Sequence, residues 1–206
     1  MHLYFTHCHV FATLGIMPLI LFNKPFQVLC QFSPDQTDPA RETPSDYLSI
    51  PDIYPAGRLD ADSEGLMLLT DDGKLQHAIS HPEYKQSKTY LVQVEGTPDT
   101  NALAQLRQPL DLRDFITQGS QVSRVEDPAW LWPRNPPIRQ RKNQATSWLT
   151  ITISEGKNRQ VRRMTAAVGL PTLRLVRIAI GPFALDTDPL LPGESKTVDP
   201  SALTGK

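Results

Sequence analysis

Residues 56–73 read AGRLDADSEGLMLLTDDG, a charge-dense loop that runs directly into a short apolar strand and then a turn. Three carboxylates, Asp60, Asp62 and Glu64, fall within five positions, and Arg58 precedes the first of them. Glycines bracket the loop, as is common where a backbone must turn tightly or come close to a ligand. The stretch is therefore either a solvated acidic turn or a loop that carries chemistry, and its spacing alone leaves both interpretations open.

The composition is that of an ordinary folded domain. A length of 206 residues suits one large domain or two small ones with a packed core. Nineteen prolines favour loops and edge strands over long helices. Two cysteines give no disulfide framework or zinc spacing, so a reducing, cytoplasmic location is the expectation. We expect no membrane contact, because no apolar run reaches the about 18 residues that a span needs.

The first sixteen residues are unusual, because His2, His7 and His9 lie beside Cys8 without the Lys/Arg-rich start of a signal peptide. A His/Cys metal site is one interpretation, but we expect no metal, since these ligands are adjacent at a chain terminus. We expect Met17 to be the natural start. The expected organisation is a poorly ordered extension, a main domain and an irregular tail, at residues 1–16, 17–185 and 186–206.

The charges are distributed unevenly along the chain, although the net charge is only −1. Between residues 134 and 177 the chain carries ten Lys/Arg and one acid, Glu155, so this segment is +9 and the remainder is −10. Repulsion among so many like charges costs stability unless an anion binds. A polyanion partner is therefore favoured over a merely solvated basic face.

Hydrophobic periodicity predicts more strand than helix. The strands are expected at residues 18–22, 28–32, 66–69, 88–95, 118–125, 146–155 and 173–180, with a turn at 23–26. Short helices are expected at 45–50, 73–80 and 97–106, and another after Asn158, with Ser45, Asp72 and Asn158 as N-caps. Because the helices are short and interspersed among strands, the sequence predicts an α+β fold with a largely antiparallel sheet.

The segment 127–145, here called the Trp/Arg loop, is long for a connection inside a compact domain. Trp130 and Trp132 stand among arginines, an arrangement that offers stacking platforms beside phosphate binders and suits single-stranded RNA. The alternative is that both tryptophans fill gaps in the core, and the sequence leaves both interpretations open.

A second informative stretch, SEGKNRQVRRM at residues 154–164, places a helix start in the basic segment. At about 100° per residue, Val161 and Met164 share one face, whereas Arg159, Arg162 and Arg163 share the other. The positive pole of a helix disfavours cations at its start, so three arginines there predict a bound anion. A phosphate or a carboxylate of the protein would serve, and Asp60 is the obvious carboxylate.

Taken together, these motifs resemble the RsuA-type family of ribosomal RNA pseudouridine synthases. The matching residues are Asn23-Lys24-Pro25, Gly57-Arg58-Leu59-Asp60, Ser63-Glu64-Gly65-Leu66, Thr70-Asp71-Asp72-Gly73, Lys88-Thr89-Tyr90 and the run from Glu155 to Met164. They occur in the family's order across residues 18–182, and the combination is highly specific. The Trp/Arg loop resembles that of members acting on the large subunit. Many relatives carry an N-terminal S4 module, for which no room is expected here.

The resemblance implies isomerisation of a uridine in 23S rRNA to pseudouridine, with no cofactor, on a mostly antiparallel mixed sheet crossed by a cleft. Asp60 matches the catalytic aspartate, which attacks C1′ of the ribose or removes the C2′ proton, and both routes stay open. Arg162 matches the position that keeps Asp60 charged, and Tyr90 matches the tyrosine that stacks on a uracil flipped out of its helix. Asp62 and Glu64 are interpreted as loop-shaping or solvated.

RNA contacts are expected along the basic segment and the Trp/Arg loop. The expected RNA-binding residues are Arg58, Trp130, Trp132, Arg134, Arg139, Arg141, Lys142, Arg159 and Arg163. The expected partner is 23S rRNA or a large-subunit assembly intermediate, with no DNA and no membrane, and the protein is expected to act as a monomer.

Two rival classes are weighed against this interpretation. A glycoside hydrolase also uses carboxylates at an anomeric carbon, but it would need a second essential acid and a neutral cleft. A non-catalytic RNA-binding or ribosome-assembly factor would need the basic segment but not Asp60. A DNA-binding protein is disfavoured, because no predicted helix presents a face of base-reading residues.

Overall fold

The computed structural model describes residues 19–80, 86–138 and 144–203. The strands in that part of the chain are β1 Leu19–Lys24, β2 Tyr54–Pro55, β3 Glu64–Thr70, β4 Lys88–Glu95, β5 Gln121–Val125, β6 Thr146–Ile153, β7 Thr172–Ile180, β8 Phe183–Ala184 and β9 Ser195–Val198. The helices are α1 Gly73–Ser80, α2 Thr100–Arg107 and α3 Gln160–Ala167, with short 3-10 helices at Pro44–Asp46 and Pro200–Leu203. The predicted extension at 1–16 and the start at Met17 lie outside the described residues.

The strands form one mixed sheet in the order β5-β6-β4-β7-β3-β1-β9, with β2 added to β3 and β8 added to β7. In the described part of the chain, β3 and β7 make the one parallel pairing, through Glu64–Val176 and Gly65–Arg177. The other strand pairings there are antiparallel. The α+β fold with a largely antiparallel sheet is thus confirmed.

Strand β3 lies inside the sheet, between β7 and β1, and is buried along its whole length. Successive side chains of a strand point to opposite faces. Leu66 accordingly packs in one apolar cluster together with Trp132, whereas Met67 packs in another together with Tyr90. We call the side that holds Tyr90 the front face and the side that holds Trp132 the back face.

Several elements have the bounds or caps predicted from sequence. Helix α1 spans residues 73–80, and Oδ1 of Asp72 accepts a hydrogen bond from the Lys74 backbone N–H at 2.8 Å. Strand β4 spans residues 88–95 as predicted. Helix α2 instead starts three residues later than predicted, at Thr100, and is capped by Asp99, whose Oδ1 accepts from the Ala102 N–H at 2.7 Å.

The segment between β1 and the charged loop differs from prediction. Residues 28–32 form bends rather than a strand. Gln27 has φ +69 and donates its backbone N–H to the Ala61 carbonyl at 2.8 Å, so this segment follows the charged loop instead of pairing in the sheet. The predicted helix at 45–50 is only the 3-10 helix Pro44–Asp46, whose N-cap is Thr43 rather than Ser45. The Asp46 carboxylate, which accepts from the Thr43 N–H at 2.8 Å, closes that short turn.

Three further local predictions are corrected. Asn23 and Lys24 belong to β1 rather than to a turn. Helix α3 starts one residue later than expected, because Arg159, with φ +49 and ψ +30, takes the N-cap position assigned to Asn158. The tail after residue 185 is mostly turns, but it is not wholly irregular, since β9 pairs with the free edge of β1. In the described segments, no helix is both long and apolar enough to cross a membrane.

Candidate active site

A cleft of about 570 Å³ opens on the front face, where the charged loop before β3 meets the loop before α3. Segments that are far apart in sequence contribute its polar side chains. They include Arg58, Asp60, Tyr90, Lys157, Arg159 and Arg177. The fold therefore brings together four of the residues that the sequence predicted for the site, namely Arg58, Asp60, Tyr90 and Arg159.

The backbone around Asp60 is held from two sides by buried or half-buried arginines. Arg177 of β7 donates from Nη1 to the Arg58 carbonyl at 3.1 Å. Arg162 of α3 donates from Nη2 to the Asp62 carbonyl at 2.6 Å. Peptide groups on both sides of Asp60 are thus fixed, while the Asp60 carboxylate itself is 41% exposed in the cleft.

Side chains from the end of β1 and from the segment after it hold the same loop. Lys24, which is fully buried, donates from Nζ to the Val28 carbonyl at 2.8 Å and to the Ala61 carbonyl at 3.4 Å. The Cys30 Sγ accepts from the Leu59 N–H at 3.3 Å. Burial lowers the pKa of Lys24 from 10.5 to about 8 and raises the pKa of the Cys30 thiol.

The cation that contacts Asp60 is Arg159, whose Nη1 lies 3.4 Å from Oδ2. Within the described residues, no hydrogen bond or ion pair joins Arg162 to Asp60, although the two charges still interact at longer range. The reason is geometric. Arg159 stands at the left-handed N-cap and lines the cleft, whereas Arg162, almost one turn further on, reaches the loop backbone and lies 3.5 Å from the Asp62 carboxylate.

Asp62 shapes the loop, as expected from the sequence. It accepts two hydrogen bonds from Arg159, at 3.1 and 2.8 Å. Burial alone would raise the pKa of Asp62, but the Arg159 hydrogen bond and the charges of Arg162 and Arg159 outweigh it and hold that pKa below its usual range. The same hydrogen bond raises the pKa of Arg159. Burial lowers the pKa of Arg162, whose Nε has no hydrogen-bond partner among the described residues.

Tyr90 lies on the front face of β4, mostly buried, with part of its side chain lining the cleft. Its register partners are Ile151 of β6 and Arg177 of β7, so it stands in the middle of the sheet. A register shift between Thr89 and Tyr90 in the pairing with β7 marks a local irregularity next to the site. Such irregularities commonly re-aim a side chain.

Glu64 is buried rather than solvated, so that part of the interpretation is wrong. Its carboxylate points to the back face, where Arg174 donates two hydrogen bonds to it at 2.9 and 2.8 Å. Trp132 donates a third from Nε1 at 2.9 Å. A carboxylate in this position satisfies a buried arginine and cannot reach a substrate in the front cleft.

In the described part of the Trp/Arg loop, Leu131 and Trp132 pack in the back-face cluster, on the other side of the sheet from Tyr90. Trp132 is 8% exposed and packs in the back-face cluster, so it fills the core and offers no free ring to RNA. Trp130 is 43% exposed and meets Trp132 edge-on, with 6.4 Å between ring centroids. The guanidinium of Arg134 stacks over the Phe26 ring at 4.2 Å. Of the two tryptophans, only Trp130 therefore offers an accessible ring for stacking.

Arg163 points away from the cleft. It pairs with the Asp114 carboxylate, donates to the Leu112 carbonyl and stacks over the Phe115 ring at 4.8 Å. The three arginines at the start of α3 thus separate, and Arg163 holds a neighbouring loop through the Asp114 carboxylate instead of facing the cleft. The predicted contacts at Arg139, Arg141 and Lys142 lie outside the described residues.

Two supporting arginines were not singled out as site residues from sequence, although a signal was present. Arg174 and Arg177 interrupt the apolar run TLRLVRIAI of β7, and charged side chains are rarely fully buried without partners. In the described part of the chain, no group of three or more His, Cys, Asp or Glu side chains is placed to hold a metal ion.

Comparisons with known proteins point to one family. Residues 18–167 match the family described as RNA pseudouridylate synthase. The chain is 52% identical over 185 residues to "Ribosomal large subunit pseudouridine synthase E" of Xanthomonas campestris pv. campestris, covering 90% of this chain and 97% of that protein. It is 55% identical over 168 residues to the protein of the same name from Xanthomonas axonopodis pv. citri, covering 82% and 88%.

A solved structure, "Crystal structure of pseudouridylate synthase", superposes with a TM-score of 0.72 at 30% identity, covering 91% of this chain and 73% of that one. It has the same overall fold. The family match covers most of the chain, including the charged loop, β4 and α3. The chain therefore belongs to the family of RNA pseudouridylate synthases.

Proposed function

We propose that this protein isomerises a specific uridine of 23S rRNA to pseudouridine, with Asp60 as the catalytic carboxylate. One observation carries the proposal: a rigid loop presents Asp60 in a cation-lined cleft beside Tyr90. The substrate class follows from the two Xanthomonas proteins, whose names refer to the large ribosomal subunit.

The reaction needs a carboxylate beside C1′ and C2′ of the ribose, and two balanced routes use it. In the first, an Asp60 oxygen bonds to C1′ as the N1–C1′ bond breaks and its electron pair moves to uracil; C5 of the turned uracil then displaces that oxygen. In the second, Asp60 removes the C2′ proton as uracil leaves, and returns it when C5 adds to C1′. In both, C5 loses a proton and N1 gains one, so the product is an isomer of the substrate.

The residues around Asp60 have different roles in this reaction. Arg159 contacts Asp60, and Arg162 adds a second positive charge at longer range, so both help to keep Asp60 ionised. Arg162 also acts indirectly, because it donates to the Asp62 carbonyl and so fixes the backbone of the Asp60 loop. Tyr90 stacks on the uracil ring inside the cleft. Arg177 holds the Arg58 carbonyl and so sets where the loop begins its approach to the ribose.

RNA contacts fall into two groups on this structure. Arg58, Lys157 and Arg159 line the front cleft and suit phosphates next to the flipped nucleotide. Trp130 and Arg134 flank Trp132 of the back-face cluster in sequence, and the exposed ring of Trp130 suits a stacked base. Arg139, Arg141 and Lys142 extend the second group along the sequence. Trp132 and Arg163 are left out of the proposed RNA-binding set, because Trp132 is buried and Arg163 faces Asp114 outside the cleft.

The proposal carries further expectations about the setting. Bacterial rRNA is made in the cytoplasm, so the protein acts there, on 23S rRNA or on a large-subunit assembly intermediate. It acts as a monomer, without a cofactor and without DNA or a membrane as partner.

The decisive experiment compares Asp60→Asn with Asp62→Asn, two acids of the same loop. Pseudouridine is mapped in 23S rRNA transcripts treated with each purified variant. Asp60→Asn removes the nucleophile or base but not the loop contacts, so it should fold, bind RNA and lose roughly 10³-fold or more in turnover. Asp62→Asn should retain measurable activity, because the loop backbone keeps its other partners. Substantial product from Asp60→Asn would exclude the proposed role.

A further inference from the structure

A buried network joins the start of β3 to the Trp/Arg loop. Arg174 and Glu64 are paired at 2.8 Å with side chains only 7% and 2% exposed. Trp132 donates from its indole N–H to the Glu64 carboxylate, and its backbone carbonyl accepts from Arg174 at 2.9 Å. Trp132 is thus fixed through both its side chain and its main chain, by one residue of β3 and one of β7.

The network has functional residues at both ends. Glu64 follows Asp60 by four residues, and between them the Ser63 N–H donates to the Asp60 carbonyl at 3.0 Å. At the other end, Trp132 lies between Trp130 and Arg134 in sequence. A side chain locked at Trp132 therefore sets where Trp130 and Arg134 stand relative to Asp60, although the two loops cover opposite faces of the sheet.

A buried ion pair is a poor means of gaining stability, because the cost of removing two charges from water offsets most of their attraction. What the pair supplies is geometry, since the planar fork of an arginine bonds a carboxylate in few arrangements. Arg134 adds a second attachment by stacking on Phe26 in the turn after β1, two residues from Lys24. The Trp/Arg loop is therefore tied at two points to the segments that also hold the Asp60 loop.

We infer that Glu64, Arg174 and Trp132 are positioning residues. They act as a latch that holds Trp130 and Arg134 at a set distance from Asp60, so that an RNA strand passing around this end of the sheet is held on both faces. An exposed aromatic ring beside a guanidinium suits an unpaired base with its phosphate. The inference rests on the proposed function, and it assigns the latch to recognition of flanking RNA rather than to the bond-making steps.

The test uses Trp132→Phe, which keeps an aromatic ring but removes the N–H that bonds Glu64. Trp148→Phe is the matched control, because Trp148 is 7% exposed in the same cluster and has no contact with Glu64 among the described hydrogen bonds. We expect Trp132→Phe to raise the KM for 23S rRNA about fivefold while kcat stays within about twofold. Trp148→Phe should leave KM unchanged. Amide hydrogen exchange over residues 127–138 should accelerate in Trp132→Phe only.

The outcomes separate the latch from the proposed function. If the wild-type protein is active, an unchanged KM in Trp132→Phe would overturn the latch. Equal KM changes in Trp132→Phe and Trp148→Phe would overturn it as well. Absence of pseudouridine with the wild-type protein would overturn the proposed function. Hydrogen exchange needs no turnover, so unchanged exchange over residues 127–138 overturns the latch in that case too. If Trp132→Phe does not fold, Arg174→Lys, which keeps the charge but loses the fork, replaces it with the same expected results.

Discussion

Lys24 is a cation with no exposed surface. Its Nζ donates to three backbone carbonyls, those of Pro25, Val28 and Ala61, so peptide dipoles replace the water that it loses on folding. These bonds tie the segment after β1 to the Asp60 loop. Burial still dominates and lowers the pKa of Lys24 to about 8. A residue that positions the site therefore also links stability to pH.

Through Lys24, stability should rise as pH increases from about 8 to about 10.5, because the unfolded chain still binds a proton that the folded chain has released. Below about pH 8 both states are protonated, and this contribution is flat. The full span corresponds to about 3 kcal/mol at most. Urea unfolding of the wild type and of Lys24→Met across this pH range measures the contribution of Lys24. The unfolding free energy of the wild type minus that of Lys24→Met should increase as the pH rises. A difference that is constant with pH would refute the linkage.

At the scale of elements, the contact between β3 and β7 depends on one glycine. Gly65 has φ +106, and a Cβ at that position would lie 2.3 Å from the Arg177 carbonyl oxygen. The parallel pairing of these strands extends over two residue pairs only. Because Arg177 also holds the Arg58 carbonyl, a shift of β7 at this point would be passed directly to the Asp60 loop.

Gly65→Ala should therefore destabilise the protein by about 3 kcal/mol or more, through strain and through separation of the two strands. Gly57→Ala provides the control, since Gly57 has φ +101 but a Cβ there would meet nothing within 4 Å among the described residues. Its cost should be about 1–2 kcal/mol, from backbone strain alone. Chemical denaturation of both variants compares them. Equal losses would show that crowding at Arg177 is unimportant.

Local signals account for the elements that could be predicted. A strand such as β4, with alternating residues and clear bounds, and a helix such as α1, capped by Asp72, are set by neighbours in sequence. The segment 28–32 alternates in the same way but forms no strand, because Gln27 turns it onto the Asp60 loop. Helical periodicity predicts Arg159, Arg162 and Arg163 on one side of α3, but it cannot show that Arg159 and Arg162 contact the Asp60 loop while Arg163 contacts the loop that holds Asp114.

At the scale of the whole molecule, the site residues that could be predicted from sequence are those that lie in short, contiguous sequence motifs. Asp60, Tyr90 and Arg159 share the front cleft, as expected. The back-face position of the Trp/Arg loop and the burial of Glu64 could not be predicted, since both depend on strand order. Only the placement of β7 between β4 and β3 brings Arg174 to Glu64. The contact that links the front and back faces therefore depends on the order of the strands, and no local sequence pattern reveals it.

The same sheet depends on its last strand to cover an edge. Strand β9 pairs with residues 19–22 of β1, all of which are buried. Truncation after Glu194 would remove β9 and leave an apolar edge strand with unpaired N–H and C=O groups, which favours association. We expect a loss of about 2 kcal/mol in unfolding free energy and concentration-dependent oligomers by light scattering. Truncation after Val198 keeps β9 and should stay close to the wild type in both measurements. A stable, monomeric protein lacking residues 195–206 would show that β1 tolerates an open edge and that β9 is dispensable.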